Sequence, residues 1–181
     1  MKKNFTCTLL LLASLLISSC ALTIKPAATK SAKSYYESFF VGEGGTQYFI
    51  KPIEFKSENS QNKLFFDLTF RYKNELKDSA TINFSIESDY IVKEVNDIAF
   101  TNATSTVFSD GISLLFNEKK GQKFTSRFSA QCSTKEIIDL FNDSAIKINI
   151  NTNNTSLSFL PDKNAQKIIR SLNNNLYILF R

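Results

Sequence analysis

The stretch KLFFDLTFRYK, residues 63–73, decides the fold class. Leu64, Phe66, Leu68, Phe70 and Tyr72 fall on one parity and Lys63, Asp67, Thr69, Arg71 and Lys73 on the other, with Phe65 alone breaking the polar set. Successive side chains point to opposite faces of a strand, so a period of two predicts a half-buried β-strand. The pattern returns after residues 74–78, where Ala80, Ile82, Phe84 and Ile86 alternate with Thr81, Asn83, Ser85 and Glu87. Two such runs joined by a short polar segment predict an antiparallel hairpin.

Toward the N-terminus, residues 48–56 form another candidate strand, and Pro52, which has no N–H to donate, marks an edge or a bulge. Residues 35–41 open the domain, and Gly42-Glu43-Gly44-Gly45 marks a turn with no phosphate-binding pattern behind it. Toward the C-terminus, residues 90–108 hold two short strands around Ile98 and Val107. Asp110-Gly111 then turns the chain into a second hairpin, 112–116 with 123–131, connected through 118–122 with Gly121 at the bend. Phe124, Phe128 and Ala130 are expected to face the core.

The period changes at Ser133-Thr134-Lys135-Glu136, a capping box ahead of Ile137, Ile138, Leu140 and Phe141, which predicts a short helix ending near Asn142. Ile146, Ile148 and Ile150 begin a third hairpin that returns through Leu157 and Phe159. Pro161 and Asp162 start a second helix, with Ala165, Ile168, Ile169 and Leu172 at helical spacing. Asn173, Asn174 and Asn175 are poor helix formers. Residues 176–180 therefore have two expected continuations, more helix or a last strand. The sum is about eight to ten short strands with two helices in the C-terminal third, an antiparallel β-sandwich or flattened barrel. The closing order of helix, hairpin and helix resembles small secreted β-sandwich proteins of the invasion-associated locus B type, a likeness of element order that carries over no residue and no function.

The N-terminus specifies a place. Lys2 and Lys3 precede nine apolar residues, 9–17, and the small residues Ser18 and Ser19 precede Cys20, the layout of a secretory signal. The apolar run is too short to cross a bilayer, which takes about 20 residues. Ile17-Ser18-Ser19-Cys20 resembles the lipobox of bacterial lipoproteins. The resemblance implies cleavage between Ser19 and Cys20, a diacylglyceryl group on the Cys20 sulfur, and acylation of the new amino group, for instance with palmitate. One acyl chain binds a membrane only marginally, with a constant of about 10⁴ M⁻¹, whereas two or more hold it stably. Ala21 stands where Asp often marks retention in the inner membrane, which favours the outer membrane of the cell envelope if the source has two. Three segments follow: a signal peptide at 1–19, a lipidated Cys with a flexible tether at 20–34, and one β-rich domain at 35–181.

Charge and cysteine content narrow the function. The formal charge is +5, but Lys2, Lys3, Lys25, Lys30 and Lys33 carry all of it, so the 22 Lys and Arg fall to 17 after residue 34, against 17 Asp and Glu. A neutral domain lacks the basic footprint of nucleic-acid binding. Cys7 leaves with the signal and Cys20 takes the lipid, so Cys132 stands alone without a disulfide partner. Stability must come from the core, and 17 Phe with many Ile and Leu can supply it.

Candidate chemistry is sparse. The chain has no histidine, which removes Ser-His-Asp and Cys-His catalysis and His-containing zinc sites. The spacing S-x-x-K occurs at Ser60–Lys63 and at Ser144–Lys147, but without the helix start and partner motifs of a penicillin-binding site. Cys132 stands beside a predicted helix start, where the dipole lowers a thiol pKa, yet no base accompanies it. Glu87 with Asp89 and Glu94 with Asp97 are close in sequence, as a glycosidase pair would need, and read better as solvated strand ends. Tyr35, Tyr36, Tyr48, Tyr72, Tyr90 and Tyr177 are edge-of-core candidates. No calcium loop, cofactor motif or metal set is found. The expectation is a membrane-anchored, non-enzymatic lipoprotein that binds an envelope protein or component. The alternatives are a carrier of an apolar ligand inside the β-fold and a hydrolase that works without histidine.

Overall fold

In the computed structural model, which describes residues 35–143 and 145–180, the alternating runs form one antiparallel sheet. The chain runs through β1 (Tyr36–Phe40), β2 (Thr46–Ser57), β3 (Lys63–Lys73), β4 (Glu75–Leu76), β5 (Ser79–Ser88), β6 (Asp97–Thr101), β7 (Thr106–Phe108), β8 (Asp110–Lys120) and β9 (Lys123–Ser133). Helix α1 (Thr134–Leu140), β10 (Lys147–Asn151), β11 (Ser156–Pro161) and helix α2 (Lys163–Asn175) complete it. The strand order is β7-β6-β10-β11-β2-β3-β5-β9-β8, with β1 on β2 and β4 on β3. β1 and β4 are strands that alternation alone does not mark, since β1 is exposed over most of its length and β4 has two residues.

The first hairpin has the expected register, with Phe66 opposite Phe84 and Leu68 opposite Ile82. Leu64, Phe66, Leu68, Ala80, Ile82, Phe84 and Ile86 are all fully buried. Phe128 and Ala130 continue this layer from β9, while Phe124 lies half-buried at its rim under the Lys119 ammonium. At Lys51-Pro52 the β2–β3 register shifts between Ile50 and Ile53, so a bulge absorbs the proline and returns both isoleucines to the core.

The sheet curls into a nearly closed barrel. β7 and β8 sit at opposite ends of the strand order, yet only Ser109 separates them in sequence and β7 runs close to β9. Asp110 and Gly111, expected as a turn, begin β8 instead. The Ser109 N–H still donates to Ile98 of β6 while Asp110 already pairs with Gln131 of β9, so the chain passes from one sheet edge to the other there; Gly111, with φ 62°, kinks it just beyond, where the register between Asp110 and Ser113 is irregular. The bend at 118–122 contracts to Gly121 and Gln122, with Lys120 paired to Lys123.

Both helices begin as their caps dictate. The Ser133 hydroxyl accepts from the Glu136 N–H at 3.4 Å, and the Asp162 carboxylate accepts from Asn164 and Ala165 at 3.0 and 2.9 Å. Helix α2 runs through all three asparagines. The Asn173 amide donates to the Phe141 carbonyl and that of Asn175 to the Ser171 carbonyl, so contacts of the helix offset weak propensity. Residues 177–180 follow neither expected course and form a 3₁₀ turn, Tyr177–Phe180. Side chains three apart eclipse in that geometry. Tyr177 and Phe180 accordingly both turn inward, Phe180 against Tyr48, Phe70 and Tyr72, while Ile178 and Leu179 point to solvent.

Candidate functional site

The residues nominated by motif do not gather into a catalytic centre. Ser19 and Cys20 lie outside the described residues, as do the signal and tether. Cys132 is buried on β9 with its Sγ 3.9 Å from the Ala80 carbonyl. Burial, with the Glu136 carboxylate nearby, pushes its thiol up to about 12. Desolvation therefore outweighs any help from the following helix, and the thiolate needed for nucleophilic attack is suppressed.

Lys63 pairs with Glu54 at 3.1 Å and the Ser60 hydroxyl accepts from the Asn62 N–H, so the first S-x-x-K pair is not joined. In the second, Ser144 lies outside the described residues and Lys147 pairs with Glu58 at 2.7 Å. Glu94 accepts from Asn153 and Asp97 from Asn151, each holding local structure. Tyr90 is exposed and Tyr177 is buried. Among the described residues no three His, Cys, Asp or Glu side chains gather to hold a metal ion.

The interior is filled by side chains. Phe66 stacks on Phe141 at 5.6 Å and meets Phe100 edge-on at 5.3 Å, Phe84 stacks on Phe128, and Tyr177 closes on Phe70. Outside, the polar parity carries a network of its own. The Arg127 guanidinium reaches Asp67 at 2.8 Å and Ser85 at 2.9 Å, and Asn83 donates to the other Asp67 oxygen at 3.0 Å. A groove of about 300 Å³ runs beside it, between Glu37, Phe49, Lys51 and Thr69. Asp67 and Arg127 satisfy each other, so this groove offers a ligand no free charge from the pair.

The feature with the clearest binding geometry is β8. It pairs with β9 along one side, and among the described residues no strand pairs with its other side. Eleven residues at about 3.3 Å each give an edge of about 36 Å. Leu114 stands opposite Phe128 and Phe116 opposite Arg127, so Leu115 is the extra residue of a second irregularity. All three are exposed, at 42, 52 and 46%. Glu118, Lys119 and Lys120 guard one end of the strand and the Gly111 kink the other, as expected for an edge kept from uncontrolled pairing. The bare section is 113–117.

No motif pointed to this edge. The signal present in the sequence is the run Leu114-Leu115-Phe116, because a strand that alternates cannot bury three consecutive apolar residues on one face. No protein-family model, curated protein or solved structure matches this chain.

Proposed function

We propose that this chain is a lipid-anchored, non-enzymatic envelope protein that holds a partner protein along the free edge of β8. The observation that carries the reading is the unpaired section 113–117 with Leu114, Leu115 and Phe116 exposed upon it. An extended segment of a partner adds there as a further strand: main-chain hydrogen bonds supply affinity, and the apolar side chains select what lies against them. The lipobox-like residues 17–20 support the anchor. A tether converts capture into a local event and raises the effective concentration of the edge near envelope proteins.

The filled interior favours this reading over carriage of an apolar molecule, which needs a cavity. The buried thiol and the dispersed carboxylates likewise lend little to a hydrolase. The test is photo-crosslinking in intact cells from a benzoyl-phenylalanine at position 115, with Leu115→Lys and Cys20→Ala chains as comparisons. One envelope protein captured through position 115, out-competed by the unmodified chain but not by Leu115→Lys, and weakened in the Cys20→Ala background, is the expected result. Equal competition by Leu115→Lys would remove β8 as the site.

A further inference from the structure

At one end of the barrel, two segments remote in sequence bring apolar side chains into solvent. Phe40 closes β1 and Val41 follows it, 79 and 39% exposed, and Ile178 and Leu179 stand on the C-terminal 3₁₀ turn, 59 and 64% exposed. The strand register joins them. Phe40 lies opposite Thr46, Thr46 opposite Tyr72, and the Tyr72 ring is 5.2 Å from Phe180. Gly45 fixes the arrangement: with φ 84°, a Cβ there would stand 2.3 Å from the Tyr72 carbonyl oxygen, so the β1–β2 turn is pressed directly onto the end of β3. This end of the barrel thus carries exposed apolar side chains from both chain segments, and Leu179 and Phe180 also line a hollow of about 600 Å³ on the β4 side of β3. The acidic Glu75 and Asp78 and the basic Lys77 and Lys135 of that hollow balance in charge, so it gives this end no net attraction to charged head groups.

We infer that this mouth rests on the bilayer surface, with Phe40, Val41, Ile178 and Leu179 in the boundary between head groups and acyl chains. The inference rests on the lipid anchor at Cys20 and adds an orientation to it. Fourteen residues separate Cys20 from Tyr35. They reach at most about 50 Å even when fully extended. The mouth lies four residues up β1 from Tyr36, about 13 Å. The anchor therefore holds the rim within reach of lipid. Solvent-facing Phe, Leu and Ile beside a membrane lose unfavourable water contact by dipping into it, as the apolar face of an interfacial helix does. The same orientation leaves the β8 edge, which runs away from the mouth toward the Gly121 bend, open to a partner.

The test uses the full processed chain in phosphatidylcholine vesicles, with an environment-sensitive NBD fluorophore at Phe40→Cys, Leu179→Cys or, at the far end, Lys119→Cys. Cys132 is buried and stays unlabelled. Nitroxide-bearing phosphatidylcholine quenches only fluorophores that reach the acyl region. Quenching at positions 40 and 179 several-fold greater than at 119, unchanged by 0.5 M salt, is expected. Equal quenching at all three positions overturns the inference, as does quenching at 40 and 179 that disappears on dilution of protein within the lipid, which would mark contact between copies. Mass spectrometry of the peptide carrying Cys20 judges the anchor separately. Unmodified Cys20 with positions 40 and 179 still quenched would overturn the anchor and keep the orientation.

Discussion

Arg127 on β9 and Asp67 on β3 form an ion pair, Nη2 to Oδ2 at 2.8 Å, although β5 lies between their strands. The guanidinium lies across β5, donates to Ser85 on the way, and leaves both charges mostly shielded, with side chains 25 and 13% exposed. Hydrogen bonds to charged groups in partial burial are worth more than exposed pairs, and a charge left without its partner costs still more.

Removing both partners is therefore predicted to destabilise the domain by less than the two single removals taken together. Asp67→Ala or Arg127→Ala should each cost about 2 kcal/mol in urea unfolding, and the double variant should cost clearly less than the sum. Additive effects would show that the pair is merely adjacent.

Tyr177 is predicted to be a site where an atom can be removed at a gain. Its ring is fully buried and its hydroxyl finds no hydrogen-bond partner among the described residues. Burial accordingly holds its phenol protonated, well above the ordinary tyrosine range. Tyr177→Phe keeps the packing on Phe70 and Phe141 and should raise stability by up to about 1 kcal/mol. A loss greater than about 1 kcal/mol in thermal or urea unfolding would mean that the hydroxyl has a bonded water or partner.

The α2 cap carries an acid-side pH dependence. Hydrogen bonding from the Ala165 N–H, then the Lys56 ammonium, holds the Asp162 carboxyl below its ordinary range. A carboxyl depressed in the folded state stabilises fully above its unfolded pKa, and that contribution is lost as pH falls through the folded value. Asp162→Ala should cost about 1 kcal/mol near neutrality. The gap between variant and parent should shrink below pH ~4. A gap independent of pH would assign the effect to packing.

Cys132 gives the alkaline counterpart. Its thiol is raised to about 12 from 9.0, so the folded chain keeps the proton that the unfolded chain releases. Stability from this group is whole below pH 9 and declines as pH rises toward 12. Cys132→Ala should flatten that decline. Correspondingly, iodoacetamide at pH 8 should label Cys132 only on unfolding, and rapid labelling of the folded chain would contradict its burial.

Much of the fold was legible because one physical rule governs it. Period-two alternation in 63–73 and 80–87 placed the side chains that the structure buries, and the capping box at Ser133 and the pair Pro161-Asp162 marked the two helix starts, although Pro161 itself closes β11 and Asp162 is the cap. What escaped was decided by tertiary contact. Residues 177–180 contain no pattern that distinguishes a 3₁₀ turn from helix or strand, and their course follows from Tyr177 and Phe180 both finding the aromatic interior. Asp110-Gly111 has turn composition, yet Asp110 is already paired with β9 and the kink falls inside the first residues of β8. The β8 edge was hidden for a related reason: alternation tells which side chains face inward and is silent on which strands lack a neighbour.

The proposed addition of a partner strand to β8 has a direct readout in the backbone amides of that strand. Amide hydrogen exchange on the crosslinked or co-purified complex, read residue by residue against the chain alone, tests it most directly. Addition of a strand predicts strong new protection of alternate amides within 113–117, because only every second N–H points away from β9. Unchanged exchange along β8, with protection appearing on another face, would rule out strand addition there.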